Sequence, residues 1–213
     1  MRKYIFFDFD GTLFDTAEGV TKCVQYALRR LGIEAELNEL MCFCGPPLFD
    51  MFSEKYGMDA ETANKAISIY RERYSPIGWT ECRPFDGMPE LVRRLRAEGF
   101  KVAVTTSKPT EFTRRILANF GMENDFDLIS GAEFDGTRSN KWEVIDYALE
   151  HFGIAPDDAI LVGDRKYDVI GAKKCGVFCV GVRFGYAEPD ELESHGAVYV
   201  AEDTDDLYDF LTK

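Results

Sequence analysis

Asp8, Asp10, Asp164 and Asp168 are the residues whose placement asks for a chemical explanation. Asp8 and Asp10 close the run Tyr4-Ile5-Phe6-Phe7-Asp8-Phe9-Asp10-Gly11-Thr12, in which an apolar segment leads straight into two carboxylates. Neighbouring strand residues point to opposite faces, so the two aspartates share one face. Two negative charges at the end of a buried strand are costly unless a cation or hydrogen-bond donors hold them. Asp164 and Asp168 stand four apart in Gly163-Asp164-Arg165-Lys166-Tyr167-Asp168, on one side of the first turn of an expected helix. Facing Asp8, they would form an oxygen-rich pocket suited to Mg²⁺, which takes a few carboxylates, waters and a substrate phosphate. Simpler readings exist for each piece: Asp10-Gly11 as a hairpin turn with solvated carboxylates, and the later aspartates as partners of a helix dipole. A calcium loop is excluded, because its anchoring positions would fall on Phe6 and Ala17.

Basic and hydroxyl residues follow the same pattern. Thr105-Thr106-Ser107 ends a second apolar strand, and such a pair either caps the next helix or offers hydroxyl and N–H groups to phosphate oxygens. Asn140 and Glu143 make a capping box that puts Lys141 in the first turn of a helix, where a cation is disfavoured. A lysine there that faces the strand ends would neutralise carboxylates and a phosphate at once. Ligands in open α/β sheets bind at the carboxyl ends of strands, so the endings at Asp8, Thr106 and Asp164 can converge.

The elements that must position these groups fall into two kinds. From Thr16 to about Thr80 the sequence reads as helices without strands: Thr16 to Leu31, a helix after Pro47, and one capped by Asp59 with Ala63, Ala66, Ile67, Tyr70 and Tyr74 on one face. From Phe85 onward helix and strand alternate, which implies a parallel sheet with right-handed crossovers. Strands are expected at Val102–Val104, Leu128–Ile129, Ile160–Val162, Val177–Val180 and Val198–Val200. Helices are expected through Ala97, over Thr110–Phe120, Lys141–His151 and Val169–Lys174, and around Asp205–Leu211.

The 213 residues, 46% of them hydrophobic, suffice for a real core, and the net charge of −13 argues against nucleic acid or anionic membranes as partners. An anionic substrate would therefore need a locally positive site. No signal peptide or membrane span is legible, and six cysteines without a paired framework suit a reducing, cytoplasmic setting.

In order, Asp8-Phe9-Asp10-Gly11-Thr12-Leu13, Thr106-Ser107, Lys141 and Gly163-Asp164 with Asp168 resemble the four motifs of the haloacid dehalogenase superfamily. Gly45-Pro46-Pro47-Leu48, Thr106-Ser107-Lys108-Pro109 and Gly163 to Gly176 are similar to its phosphoglycolate-phosphatase-like branch, which also holds nucleotide and sugar-phosphate phosphatases. The resemblance implies an α/β fold: a Rossmann-like three-layer core with a parallel sheet, formed by residues 1–15 and 81–213. A small all-helical cap, residues 16–80, would be inserted after the first strand. It implies a Mg²⁺-dependent phosphatase acting on a small phosphate monoester, phosphoglycolate-like, through an aspartyl phosphate, as a monomer or homodimer.

By the same resemblance Asp8 is the nucleophile and Asp10 the acid and base, while Thr106, the Ser107 N–H and Lys141 hold the phosphoryl oxygens. The Asp8 carboxylate, the Asp10 carbonyl, Asp164 and Asp168 would serve the metal. Gly11 and Ser107 are expected substrate contacts, joined from the helical segment by Pro46, in a rigid loop over the site, and by Arg73, which like Arg71 could meet a substrate carboxylate or else be solvated. Ser107 departs from the asparagine of many relatives but keeps its backbone donor. Asp10 argues against dehalogenases and transport ATPases, the lack of lysine between Met41 and Phe52 against phosphonoacetaldehyde hydrolases, and Val20 at the cap-histidine position against β-phosphoglucomutase. Nucleoside 5′-monophosphates and sugar phosphates remain alternatives, as does a non-catalytic binding protein, of which replacement of Asp8 or Asp10 would be the sign.

Overall fold

A computed structural model describes residues 2–213; Met1, the start of the expected core segment, lies outside them. Six parallel strands form one sheet: β1 (Tyr4–Phe7), β4 (Lys101–Pro109), β5 (Leu128–Ala132), β6 (Ala159–Gly163), β7 (Phe178–Val182) and β8 (Tyr199–Ala201). Their order is β5-β4-β1-β6-β7-β8, so the chain builds outward on one side of β1 and then crosses to the other. β1 is paired on both edges, Tyr4 with Lys101 and with Ala159. An all-parallel sheet must be covered on both faces, and β1 reads accordingly. Ile5 and Phe7 pack on one side with Met88, Leu95, Ile116 and Leu207. Phe6 packs on the other with Ile145, Ala148, Val169 and Leu192. The helices of the first face are α4 (Met88–Ala97), α5 (Thr110–Asn119) and α9 (Thr204–Thr212); those of the second are α6 (Lys141–Phe152), α7 (Lys166–Cys175) and α8 (Glu191–His195). The result is the three-layer α/β arrangement expected from the alternating pattern.

Between β1 and α4 lie α1 (Ala17–Arg30), α2 (Leu48–Tyr56) and α3 (Ala60–Tyr74), with a 3₁₀ segment over Leu37–Phe43. They enclose an apolar cluster of their own, including Val24, Leu28, Phe43, Phe52, Ala66 and Tyr74, which Phe112 of α5 joins from below. A two-residue antiparallel ladder of β2 (Phe14–Asp15) and β3 (Arg83–Pro84) stands where the chain leaves and re-enters the sheet half.

Several boundaries differ from the sequence reading. β4 runs to Pro109 rather than stopping near Val104, because Pro109 delays the helix to Thr110; Thr106 and Ser107 are strand residues, not helix caps. α7 begins at Lys166, three residues early, where the Arg165 N–H donates to Asp168 Oδ2 at 3.0 Å. In α3 the buried position is Ile69, and Ile67 is only half-buried. α8 and β2/β3 carry too few apolar residues to show a period, and the sequence did not reveal them.

Candidate active site

Asp8 follows β1 directly and still pairs with β6, its N–H donating to Val162 O at 2.9 Å. Its side chain is 2% exposed. Phe9 turns the other way and stacks on Phe14 with ring centroids 4.7 Å apart, which fixes the two flanking aspartates on the opposite side. One oxygen each of Asp8, Asp164 and Asp168 lies within 4.8 Å of the others. Two glycines make room for Asp164. A Cβ at Gly11, whose φ is +83°, would lie 2.1 Å from Asp164 Oδ2, and one at Gly185 would lie 2.2 Å from Asp164 Cβ. The Thr12 hydroxyl donates to Asp164 Oδ1 at 3.0 Å and the Tyr186 N–H to Oδ2 at 2.8 Å.

Lys141 reaches this cluster from the first turn of α6. Its Nζ lies 2.6 Å from Asp8 Oδ1 and 2.9 Å from Asp168 Oδ1, and it donates to Thr105 O at 3.1 Å. The Asp168 contact lacks hydrogen-bond direction, so that buried oxygen has charge nearby and no donor. Gly171 lets α7 approach: a Cβ there would sit 2.6 Å from Lys141 Cγ. Burial, opposed by the Lys141 charge, raises the Asp8 carboxyl to about 7. Burial and the charges of Asp168 and Asp8 hold Asp164 well above the carboxylate range. For Lys141 burial pulls downward, but Asp168 and Asp8 outweigh it and keep the ammonium charged. Two buried carboxylates, Asp8 and Asp168, therefore share one lysine, Asp164 stands within 4.8 Å of both, and among the described residues one Asp168 oxygen has no donor. Such a hard-oxygen set fits a small divalent cation.

Asp10 belongs to a second group. The Thr16 hydroxyl donates to its Oδ1 at 2.5 Å, and Lys108 Nζ lies 2.9 Å and 3.2 Å from its two oxygens. Lys108 is 8% exposed, and burial, which would lower its pKa, is outweighed by Asp10 and Tyr74. The β4–β5 register explains how Lys108 arrives there. Thr105 pairs with Ser130 and Pro109 with Ala132, so Thr106-Ser107-Lys108 bulges out of the ladder. Thr106 Oγ1 accepts from the Lys108 N–H at 3.2 Å.

A cavity of about 570 Å³ opens beside Asp10, Ser107 and Lys108 and extends between the helical segment and the sheet half. Asp8, Lys141, Asp164 and Asp168 are buried and are not part of its wall.

The haloacid dehalogenase-like hydrolase profile matches residues 5–182. A 5′-nucleotidase of Pseudomonas aeruginosa is 44% identical over 93% of this chain and 90% of its own length. The tyrosine-protein kinase PtkA of Mycobacterium tuberculosis is 37% identical over 92% of this chain and 67% of its own. A crystal structure of a predicted phosphatase from Clostridium acetobutylicum superposes with a TM-score of 0.97 at 43% identity, covering 100% of this chain and 99% of that one. The chain belongs to the haloacid dehalogenase-like hydrolases. Within that family it is a phosphatase.

Placed on this hydrolase, the expected site residues divide. Asp8, Lys141, Asp164 and Asp168 come together, and Thr106 is buried in the bulge of β4. The Asp10 carboxylate stands apart on Lys108, so any service to a metal falls to its backbone carbonyl. Ser107 and Pro46 line the cavity, and Gly45-Pro46-Pro47 is both the link into α2 and part of the cavity wall. Gly11 is required by the close approach of Asp164 rather than by open space beside it. Arg73 is not brought in. It grips Glu81 with two bonds of 2.7 and 2.9 Å and Cys23 Sγ at 3.1 Å, while Arg71, two residues earlier and on the other side of α3, lines the cavity. Sequence reasoning missed three residues. Lys108 carried a signal in the proline after it, and Tyr186 in its place after a fourth strand end, Phe184-Gly185-Tyr186. Tyr186 accepts from the Thr16 and Ala17 N–H groups at 2.8 and 3.0 Å, joining the start of α1 to the Asp164 loop. Arg165 had the wrong sign for a helix start because it serves elsewhere, bonding Glu191 at 2.9 Å and the Cys44 carbonyl at 3.2 Å.

Proposed function

We propose that this hydrolase cleaves phosphate monoesters with Asp8 as nucleophile, and that residues 16–80 act as a cap over the core formed by the rest. The observation that carries this reading is the buried Asp8–Lys141–Asp168 contact set beside Asp164. An Asp8 oxygen forms a bond to phosphorus as the ester P–O bond breaks, and Asp10 gives its proton to the departing oxygen. Asp10 then takes a proton from water, whose oxygen displaces Asp8, leaving inorganic phosphate and a free carboxylate. Lys141, the Thr106 hydroxyl and the Ser107 N–H hold the equatorial oxygens, where charge spreads in phosphoryl transfer. Asp8, Asp164 and the Asp10 carbonyl would hold Mg²⁺, with Asp168 orienting it. Bound there, the cation neutralises phosphate and carboxylate charge.

Phosphoglycolate is the less favoured substrate. With Asp10 paired to Lys108 and Glu133 to Arg138, the cavity wall carries Asp50 and Asp135 against Arg71 as its uncommitted cation, which opposes a second anionic group. Its volume of about 570 Å³ also exceeds what a two-carbon leaving group fills. A nucleoside 5′-monophosphate, neutral beyond its phosphate, suits both features, and the 44% identical relative bears the name 5′-nucleotidase. The test is phosphate release, with and without Mg²⁺, from nucleoside 5′-monophosphates, phosphoglycolate, sugar phosphates and phosphotyrosine, with Asp8→Asn as control. Turnover that survives Asp8→Asn removes the nucleophile assignment.

A further inference from the structure

Four aromatic rings follow one another along the cavity wall. Tyr70 stacks on Tyr74 at 5.1 Å, Tyr74 meets Phe112 edge-on at 4.9 Å, and Phe112 meets Phe134 edge-on at 5.5 Å. The series begins beside the catalytic end, where Lys108 Nζ lies 5.1 Å from the Tyr74 ring centre, and ends at Phe134. Phe134 is 44% exposed, in contrast to the buried Tyr74 and Phe112. It sits in the loop after β5, on the core side, and the Arg71 guanidinium of α3 stands over its ring at 4.9 Å from the helical side. Burial lowers the Arg71 pKa, and among the described residues no carboxylate bonds it, so its charge stands at the cavity against the ring.

A half-exposed ring, steadied on edge by a buried neighbour and faced by a planar cation, presents with that cation two flat groups to the cavity. Guanidinium and aromatic planes both take a nucleobase face to face, and each such stack contributes substantially to binding. From this we propose that Phe134 and Arg71 form the receptor for the leaving group's nucleobase, one residue from each half of the molecule. A bound base therefore bridges the helical segment and the core, and the distance along the ring series separates it from the phosphate held near Asp8. This assignment rests on the phosphomonoesterase reading and adds to it the residues that choose the substrate.

The experiment compares full-length protein in Mg²⁺ with its Phe134→Ala, Phe134→Tyr and Arg71→Ala variants, on adenosine 5′-monophosphate and on glycerol 3-phosphate, which has no ring. The expected result is that Phe134→Ala lowers the ratio of kcat/KM for the nucleotide to that for glycerol phosphate by about tenfold, through KM, and that Phe134→Tyr restores most of it. Arg71→Ala moves the ratio in the same direction. An unchanged ratio, with both substrates losing equally or neither losing, overturns the proposal. So does a wild-type protein that turns over glycerol phosphate but not the nucleotide, an outcome that leaves the phosphatase chemistry standing. If wild type turns over neither, calorimetry on Asp8→Asn protein decides. Nucleotide binding tighter than that of inorganic phosphate and weakened by Phe134→Ala supports the receptor, and equal binding of the two refutes it.

Discussion

Adding Mg²⁺ to cation-free protein should raise its melting temperature, and by more at pH 8 than at pH 5.5. The Asp8 carboxyl, raised from 3.8 to about 7, sets the sign. Between about pH 4 and 7 the native protein holds a proton that the unfolded chain has released, so the cation-free fold loses stability as pH rises through that window. Its penalty is fully present above pH 7 and absent below about 4. A cation needs the carboxylate, so each pH unit below 7 weakens apparent affinity by about tenfold for one proton displaced. At a concentration about 100 times the dissociation constant at pH 8, binding stabilises by about 2.7 kcal/mol, or roughly 5–10 °C for a chain of this size. At pH 5.5 the same concentration is only about three times the dissociation constant and stabilises by about 0.9 kcal/mol, roughly 2–3 °C. Asp164, pushed in the same direction, steepens the trend. Thermal melts at the two pH values, with Asp8→Asn and Asp164→Asn alongside, measure it. A shift equal at both pH values, or as large in the variants, would refute the argument that these carboxylates share one cation.

Lys108→Met leaves Asp10 buried without its cation and should cost about 3–5 kcal/mol, read as a lowered denaturation midpoint, with turnover lost as well. Gly11→Ala places a methyl at a φ of +83° and against Asp164, so the Mg²⁺-induced melting shift should disappear even where the protein still folds. Arg73→Met breaks the Glu81 pair and should cost about 1–3 kcal/mol while leaving KM for the phosphate ester unchanged; a raised KM would return Arg73 to the substrate site. Ca²⁺ should raise the melting temperature yet support little phosphate release in the same assay, because its looser coordination misplaces the nucleophile.

The core half of the site was most legible where its residues break a local rule. Asp8 and Asp10 follow an apolar strand, and Lys141 sits at a helix start that disfavours cations. Arg165 breaks a rule of the same kind, but its targets could not be read locally, since Glu191 and the Cys44 carbonyl are 26 and 121 residues away. Cap contacts were harder still. Arg71 and Arg73 differ by two positions on one helix, and only the packing of Tyr70 and Tyr74 decides which of them faces the cavity. Lys108 was hidden by a strand that continues past its apolar run, in a bulge whose register depends on β5.

The position of β1 also bears on how the chain acquires this site. Tyr4 must wait for Lys101 on one edge and Ala159 on the other, so the central strand of the sheet precedes its partners by 97 and 155 residues. Until they arrive, Ile5, Phe6 and Phe7 have neither a ladder nor a covering layer. Such distant pairing slows folding and leaves an apolar, unpaired strand open to intermolecular association. The carboxylates at its end are then a folding advantage before they are a catalytic one. Asp8 and Asp10 place charge beside the most adhesive segment of the chain while it waits, and the cluster that burdens the finished fold exists only once Asp164 and Asp168 have closed over it.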